Sequence, residues 1–146
     1  MNITITPIGF VKNNISEPGR YDWQTVVSEI VVNEDLKEAL DRLEEFSHIT
    51  VLYWMHKVPP SRHSTMRVHP RGNHKLPLVG VFASRSPARP NSIGTVTVEL
   101  LERHDNLLKV VGLDAIDGTP VLDIKPYIPK YDSPTGAETP GWVAEP

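Results

Sequence analysis

The sequence predicts a mainly β protein, a single antiparallel β-barrel of about seven strands with one short helix. Three observations carry this. The 14 prolines among 146 residues exclude a helical bundle, because an interior proline removes a helix hydrogen bond and clashes with the preceding turn. Val96, Val98 and Leu100 alternate with Thr95, Thr97 and Glu99, the period of two that lines one face of a strand with apolar side chains. Several such runs are separated by turn residues, and closing the resulting sheet removes its exposed edges.

In chain order, strands are predicted at Ile3–Val11, where Pro7 marks an edge or bulge, and at Thr25–Val32. One helix follows. Asn33 caps it, Glu34 and Asp35 lie in the first turn where the dipole favours anions, and Leu36, Ala39, Leu40 and Leu43 recur at helical spacing. It ends before Ser47. Ile49–Met55 and Leu78–Ala83 read as further strands, separated by a surface loop, Val58–Pro77, that holds four prolines. Runs at 95–100, 107–115 and 121–125 are expected to form an antiparallel meander, with Arg103–Asn106 as one turn and Asp117-Gly118 as a hairpin signal. From residue 127 to 146 a proline-spaced tail carries Tyr127, Tyr131 and Trp142, and is either disordered or laid along a neighbouring surface.

The length fits one domain spanning residues 1–146. A hydrophobic fraction of 39% and a charged fraction of 23% allow one modest core and exclude the composition of a disordered chain. There is no cysteine, hence no disulfide framework, thiolate metal site or cysteine nucleophile. No apolar run spans a bilayer and the first residues lack the blocks of a signal peptide, so a cytoplasmic protein without membrane contact is expected.

Charge is unevenly placed. Between Phe46 and Val98 stand Lys57, Arg62, Arg67, Arg71, Lys75, Arg85 and Arg89 with no Asp or Glu, while eight basic and all 18 acidic residues lie outside. Such a block creates a local positive potential suited to an anionic partner, unless it folds against the acidic ends and is neutralised there.

Several chemistries are absent. No two glycines are separated by one residue, which removes the dinucleotide fingerprint, and there is no GxSxG, P-loop or HExxH. His56, His63, His69 and His74 lack the i, i+4 spacing and a nearby carboxylate, so no metal is expected. Three constellations remain. Ser84 to Asn91, SRSPARPN, presents Arg85 and Arg89 on a backbone stiffened by Pro87 and Pro90, where they either bind a carboxylate or phosphate or pair with acidic residues of the C-terminal half. Asp123, Lys125 and Tyr127, spaced by two, share one strand face and suit either acid/base chemistry or a salt bridge with a hydrogen bond. Asp114 ends an apolar run, and a charge buried there needs a partner or ligand, whereas Asp117 before Gly118 reads as a turn residue. In the run SHITVLYWMHK, Tyr53, Trp54 and Met55 read mostly as core, while His56 and Lys57 at its end are placed to reach a ligand.

The segments PIGFVKN, FSHITVLYWMHK, HPRGN, LVGVFASRSPARPNSIG and LDAIDGTPVLDIKPYIP occur in that order. Together they resemble the TsaA-like, or TrmO, family over nearly the whole chain. The resemblance implies a non-Rossmann β-barrel methyltransferase that uses S-adenosylmethionine to methylate N6 of threonylcarbamoyladenosine 37 in tRNA. It also implies a homodimer with the cofactor near the subunit interface. Longer members carry a C-terminal extension, so this sequence looks like the minimal catalytic version.

Carried onto matching positions, the resemblance implies cofactor contacts from His56, Lys57, Arg85, Thr95 and the Val111, Gly112, Leu113 and Asp114 segment, with Pro18, Gly19 and Arg20 matching more loosely. A carboxylate such as Asp114 suits ribose hydroxyls, and Arg85 or Lys57 suits a methionine carboxylate. Asp114, Asp123 and Tyr127 are the candidate catalytic residues, for removal of the N6 proton. Arg62, Arg67, Arg71, Lys75 and Arg89 are the expected tRNA contacts. The rival readings are a non-enzymatic barrel that binds RNA or a nucleotide, and a methyltransferase with another substrate.

Overall fold

The computed structural model describes residues 1–143. They form two compact units: a barrel unit of Met1–Lys57 and Ile93–Tyr127, and a second unit of Val58–Ser92 with the chain from Ile128 onward. The last three residues of the proline-spaced tail, 144–146, lie outside the described residues.

The barrel unit holds six of the eight strands: β1 (Gly9–Lys12), β2 (Val27–Val32), β3 (His48–Trp54), β6 (Ile93–His104), β7 (Leu107–Val111) and β8 (Pro120–Pro126). They close in the order β1-β2-β7-β6-β3-β8, every pairing antiparallel. The alternation read from the sequence is what closes it. Ser28, Ile30 and Val32 of β2, Ile49, Val51 and Tyr53 of β3, and Val98 and Leu100 of β6 point inward and are buried. Leu108 and Val110 of β7 and Val121 of β8 complete the core, and Leu113 and Ala115 join it from beyond β7.

Two bulges keep the apolar side chains inside while the wall curves. In β3–β8, Leu52 pairs with Asp123 but Tyr53 pairs with Val121, so Leu122 is an extra residue. Val121 and Ile124 therefore both turn toward the core, whereas Asp123 and Lys125 turn outward beside Leu52 and Thr50. In β6–β7, Leu101 is the extra residue between Leu100 and Glu102.

Several expectations are corrected. Strand pairing begins at Gly9, not Ile3, and Ile3 and Ile5 are exposed; Pro7 has no N–H to offer a ladder. The expected helix is two 3-10 segments, Glu34–Leu40 and Leu43–Glu45, broken where Arg42 takes a left-handed φ of 72°. Asn33 makes no side-chain cap, and its Nδ2 donates to the Pro7 carbonyl (3.2 Å). Of the predicted stripe, Leu40 is buried and Leu36 and Leu43 pack against the core, whereas Ala39 is exposed, since the 3-10 winding does not keep the α-helical spacing.

The meander is also corrected. β6 and β7 form a hairpin, but β8 lies between β3 and β1. Gly112, at φ 97°, turns the chain out of β7, and residues 112–119 pass the ends of β2 and β1 to reach β8. Along this crossing Asp117 N–H donates to the Ile15 carbonyl and Gly118 N–H to that of Val11, both at 2.7 Å.

In the second unit, β4 (Arg67–Val68) pairs with β5 (Val79–Gly80). The expected Leu78–Ala83 strand is thus two residues followed by a 3-10 turn, Val81–Ala83. The tail contains one α-helical turn, α1 (Pro129–Asp132), whose Asp132 Oδ2 accepts from Ile128 N–H at 2.9 Å. Among the described residues no helix is long and apolar enough to cross a membrane.

Candidate functional site

The crossing segment carries a hydrogen-bonded carboxylate, Asp114. Leu113, Ala115 and Ile116 are buried and Asp114 between them is exposed. The sequence-based expectation of a buried charge there is corrected: the neighbours on either side anchor the backbone and the carboxylate projects to solvent. It does have a partner. Tyr53 Oη donates to Asp114 Oδ1 at 2.7 Å, and the Asp114 carbonyl lies 3.4 Å from the same hydroxyl.

Tyr53 itself is 4% exposed, its ring held among core side chains and only its hydroxyl at the rim. Burial, reinforced by the Asp114 carboxylate, pushes its phenol well above the ordinary tyrosine range. The hydroxyl therefore stays a donor. Gly94 stands directly opposite Tyr53 in the β3–β6 ladder, and a Cβ there would sit 2.3–2.7 Å from the ring and its hydroxyl. Absence of a side chain at Gly94 is what lets the ring lie across β6.

Asn13 secures the same segment from the other side. Its Nδ2 donates to Ser28 Oγ (2.9 Å) and to the Ala115 carbonyl (2.8 Å), and its Oδ1 accepts from Ile15 N–H (3.0 Å). Its backbone N–H donates to Asp117 Oδ1 at 2.9 Å, so the Asp117 side chain ties the crossing segment to the chain that follows β1. Thr119 Oγ1, buried, closes the turn on the Ile116 carbonyl at 2.7 Å.

The remaining sequence-derived positions of the barrel unit are spread around this rim and its outer wall. Val111, Gly112 and Leu113 lead directly into Asp114. His56 and Lys57 are exposed just beyond the end of β3, which carries Tyr53. Thr95, next to Gly94, is exposed and pairs with Leu52 on the outer wall. Pro18, Gly19 and Arg20 lie on an exposed loop beside Tyr21, whose hydroxyl donates to the Glu17 carbonyl at 2.9 Å. Asp123 and Lys125 form an ion pair at 3.0 Å on the outer wall, so they share a face as their spacing implied. Tyr127 follows β8 and its N–H donates to the His48 carbonyl at 3.1 Å.

In the second unit, residues 58–92 hold six cations and no acid. Arg62, Arg67, Arg71, Lys75 and Arg85 are exposed, Arg71 on a left-handed backbone with φ 57°. Among the described residues, no hydrogen bond or ion pair is formed by the Arg85 side chain. Arg89 differs. Its guanidinium donates to the Ser84 and Ser86 carbonyls at 3.0 and 3.2 Å, so it pins its own loop through the backbone, without the carboxylate partner the sequence left open. Ser92, fully buried, adds a bond from its hydroxyl to the Pro87 carbonyl at 2.7 Å. The His69 and His74 rings lie 4.3 Å apart, and among the described residues no group of three His, Cys, Asp or Glu is placed to hold a metal ion.

Sequence reasoning read Tyr53 only as core, which it is, and passed over Gly94 and Asn13. A signal for the first was present: a tyrosine in an apolar strand brings a hydroxyl that needs a partner once buried. Gly94 and Asn13 carry no comparable signal, because their partners are supplied by other strands.

Chemically, the rim offers a hydrogen-bonded carboxylate acceptor, and the Lys57 ammonium follows β3. The second unit offers a stiffened loop with an unengaged guanidinium and a field of like charge.

A family model described as the tRNA-methyltransferase O N-terminal domain matches residues 12–133. Over 137 residues the chain is 45% identical to a "Probable S-adenosyl-L-methionine-binding protein" of Methanothermobacter thermautotrophicus, covering 91% of this chain and 96% of that protein. Over 98 residues it is 45% identical to the tRNA (adenine(37)-N6)-methyltransferase of Mus musculus, covering 67% of this chain and 22% of that one. The crystal structure of TrmO from Pseudomonas aeruginosa superposes with a TM-score of 0.77 at 31% identity. All of this chain is matched there, and it spans 64% of the longer TrmO chain.

Proposed function

The chain belongs to the tRNA-methyltransferase O N-terminal domain family, and on that premise we propose that it is an S-adenosylmethionine-dependent methyltransferase acting on N6 of adenosine 37 in tRNA. The preferred substrate in this reading is the threonylcarbamoyl form of that adenosine. Residues 1–146 act as one TsaA-like domain, in a homodimer located in the cytoplasm. The observation that carries the reading is the near full-length likeness to a relative named "Probable S-adenosyl-L-methionine-binding protein", in a chain whose barrel rim holds a hydrogen-bonded, solvent-facing carboxylate.

The residues fit such a cofactor. Asp114 is the acceptor for ribose hydroxyls, with the Val111, Gly112 and Leu113 segment leading into it, while Lys57 or Arg85 is the cation suited to the methionine carboxylate. His56, Thr95 and the Pro18, Gly19 and Arg20 loop are further contacts in this reading. When bound, S-adenosylmethionine supplies an electrophilic methyl carbon on a sulfonium.

The protein's part is then positioning and proton removal. The N6–H of a ureido-substituted adenine lies between a carbonyl and an electron-poor ring, so a weak base suffices to take it. Asp114, Asp123 and Tyr127 are the candidate bases. Asp114 already accepts from Tyr53 and is better suited to holding hydroxyls, which leaves Asp123, paired with Lys125, and Tyr127 for the proton. Arg62, Arg67, Arg71 and Lys75 hold tRNA phosphates, and Arg89 shapes the loop that presents Arg85.

Titration calorimetry with S-adenosylmethionine, with ATP and adenosine as controls, tests the cofactor. Methyl transfer to tRNA with and without threonylcarbamoyl at position 37 tests the substrate. Selective binding followed by transfer to the modified tRNA is expected; no binding by folded protein, with or without tRNA, defeats the reading. Asp123→Asn with full turnover at saturating cofactor removes Asp123 as the base.

A further inference from the structure

We propose that Tyr53 is a positioning residue for ligand recognition, holding one oxygen of Asp114 so that the other meets the vicinal hydroxyls of a ribose. The inference rests on the cofactor reading above and adds to it a residue that touches no ligand.

The geometry is specific. Asp114 sits on a crossing segment, not in a strand, so no ladder fixes its carboxylate. An exposed carboxylate of this kind is free to rotate about χ1 and χ2, and a ligand that uses it must first order it. Tyr53 removes that freedom. Its hydroxyl donates to Oδ1 at 2.7 Å, within the short range of a charge-assisted bond, from a ring that the core immobilises. Among the described residues, Asp114 Oδ2 makes no hydrogen bond, which leaves it as the outward acceptor.

Two further features serve the same end. Gly94 has no side chain where any Cβ would strike the Tyr53 ring, so the ring's lie across β6 is built into the ladder. Asn13 ties the carbonyl of Ala115, the residue after Asp114, to the barrel through Nδ2, so the backbone under the carboxylate is fixed as well as its tip. A phenylalanine at position 53 would fill the same space. A hydroxyl adds to packing only the bond to Asp114.

The test compares S-adenosylhomocysteine with its 2′,3′-dideoxyribose analogue by titration calorimetry on the full chain, as wild type, Tyr53→Phe and Asp114→Ala. Tyr53→Phe is expected to weaken S-adenosylhomocysteine roughly tenfold, the scale of one charge-assisted hydrogen bond, and to weaken the analogue much less. The ratio of the two affinities should therefore shrink in Tyr53→Phe and shrink further in Asp114→Ala. A merely structural tyrosine would lower both affinities together and leave the ratio unchanged, which overturns the proposal. If Asp114→Ala collapses the ratio while Tyr53→Phe preserves it, the cofactor reading stands and the proposal falls. A folded wild-type chain that binds neither compound overturns both. Far-ultraviolet dichroism and melting of each variant check that the barrel is intact.

Discussion

Removing the side chain of Asn13 should unfasten the crossing segment from the barrel. In the native protein this amide donates to Ser28 Oγ at 2.9 Å and to the Ala115 carbonyl at 2.8 Å, and accepts from Ile15 N–H at 3.0 Å. Ser28 is 1% exposed and Ala115 3%, so neither group can turn to bulk water when Asn13→Ala removes its partner. Leaving a buried acceptor unpaired costs about 1–3 kcal/mol, and each remaining bond adds about 0.5–1.5 kcal/mol net. The Ser28 hydroxyl recovers part of this by rotating, and the half-buried Ile15 N–H recovers part from solvent. A loss of about 2–4 kcal/mol follows. At this chain length about 3 °C is lost per kcal/mol, so Tm should fall by about 6–12 °C in a calorimetric scan. Asn14→Ala, one residue on and exposed, is the control and should stay within about 0.5 kcal/mol of wild type. Hydrogen exchange locates the damage: the amides of Asp117 and Gly118 should lose protection while those pairing β3 with β6 keep theirs. An Asn13→Ala protein that melts within about 2 °C of wild type would refute the accounting, since the buried acceptors would then have found other partners.

Gly94→Ala should destabilise the barrel by about 1–3 kcal/mol, because its Cβ meets the Tyr53 ring at 2.3–2.7 Å. In a Tyr53→Leu background the same substitution should cost less, and equal cost in both backgrounds, measured by urea unfolding, would place the strain elsewhere. Because the Tyr53 phenol is held above its ordinary value, the unfolded chain ionises first as pH rises. The stability due to this group is complete below about pH 10 and is lost progressively above it, so the Tm advantage of wild type over Tyr53→Phe should begin to narrow near about pH 10 and go on narrowing as pH rises further. Replacing Arg62, Arg67, Arg71 and Lys75 together by Gln should weaken tRNA binding and flatten its salt dependence by roughly 0.7–0.9 in slope for each phosphate no longer neutralised. Filter binding across salt concentrations reads this directly, and Arg89→Gln should instead lower thermal stability, since its guanidinium is engaged with the Ser84 and Ser86 carbonyls.

The fold class was legible in the chain, because period-two alternation and proline spacing are local properties of the backbone. β3 illustrates this: Ile49, Val51 and Tyr53 point inward as their spacing requires. The sequence by itself also determined the cationic character of residues 58–92, and the long motifs that carry the family resemblance lie in the open chain.

What the tertiary structure alone decided is which strands are neighbours and which polar groups meet. Asp117-Gly118 reads as a hairpin signal, yet Gly112 diverts the chain first, and closing a six-stranded barrel requires β8 to join β3 to β1. The 33–46 segment keeps Leu36, Leu40 and Leu43 toward the core but is two 3-10 segments and not one α-helix, interrupted where Arg42 takes a left-handed backbone. A one-residue bulge sends Asp123 and Lys125 to the outer wall, an outcome no spacing rule contains, since a single extra residue inverts which side chains face inward. Tyr53 and Asp114 are 61 residues apart, and only barrel closure brings a hydroxyl from one strand to the carboxylate of a crossing segment. Alternation is set by backbone geometry one residue at a time, whereas a contact between distant side chains depends on every register and bulge between them.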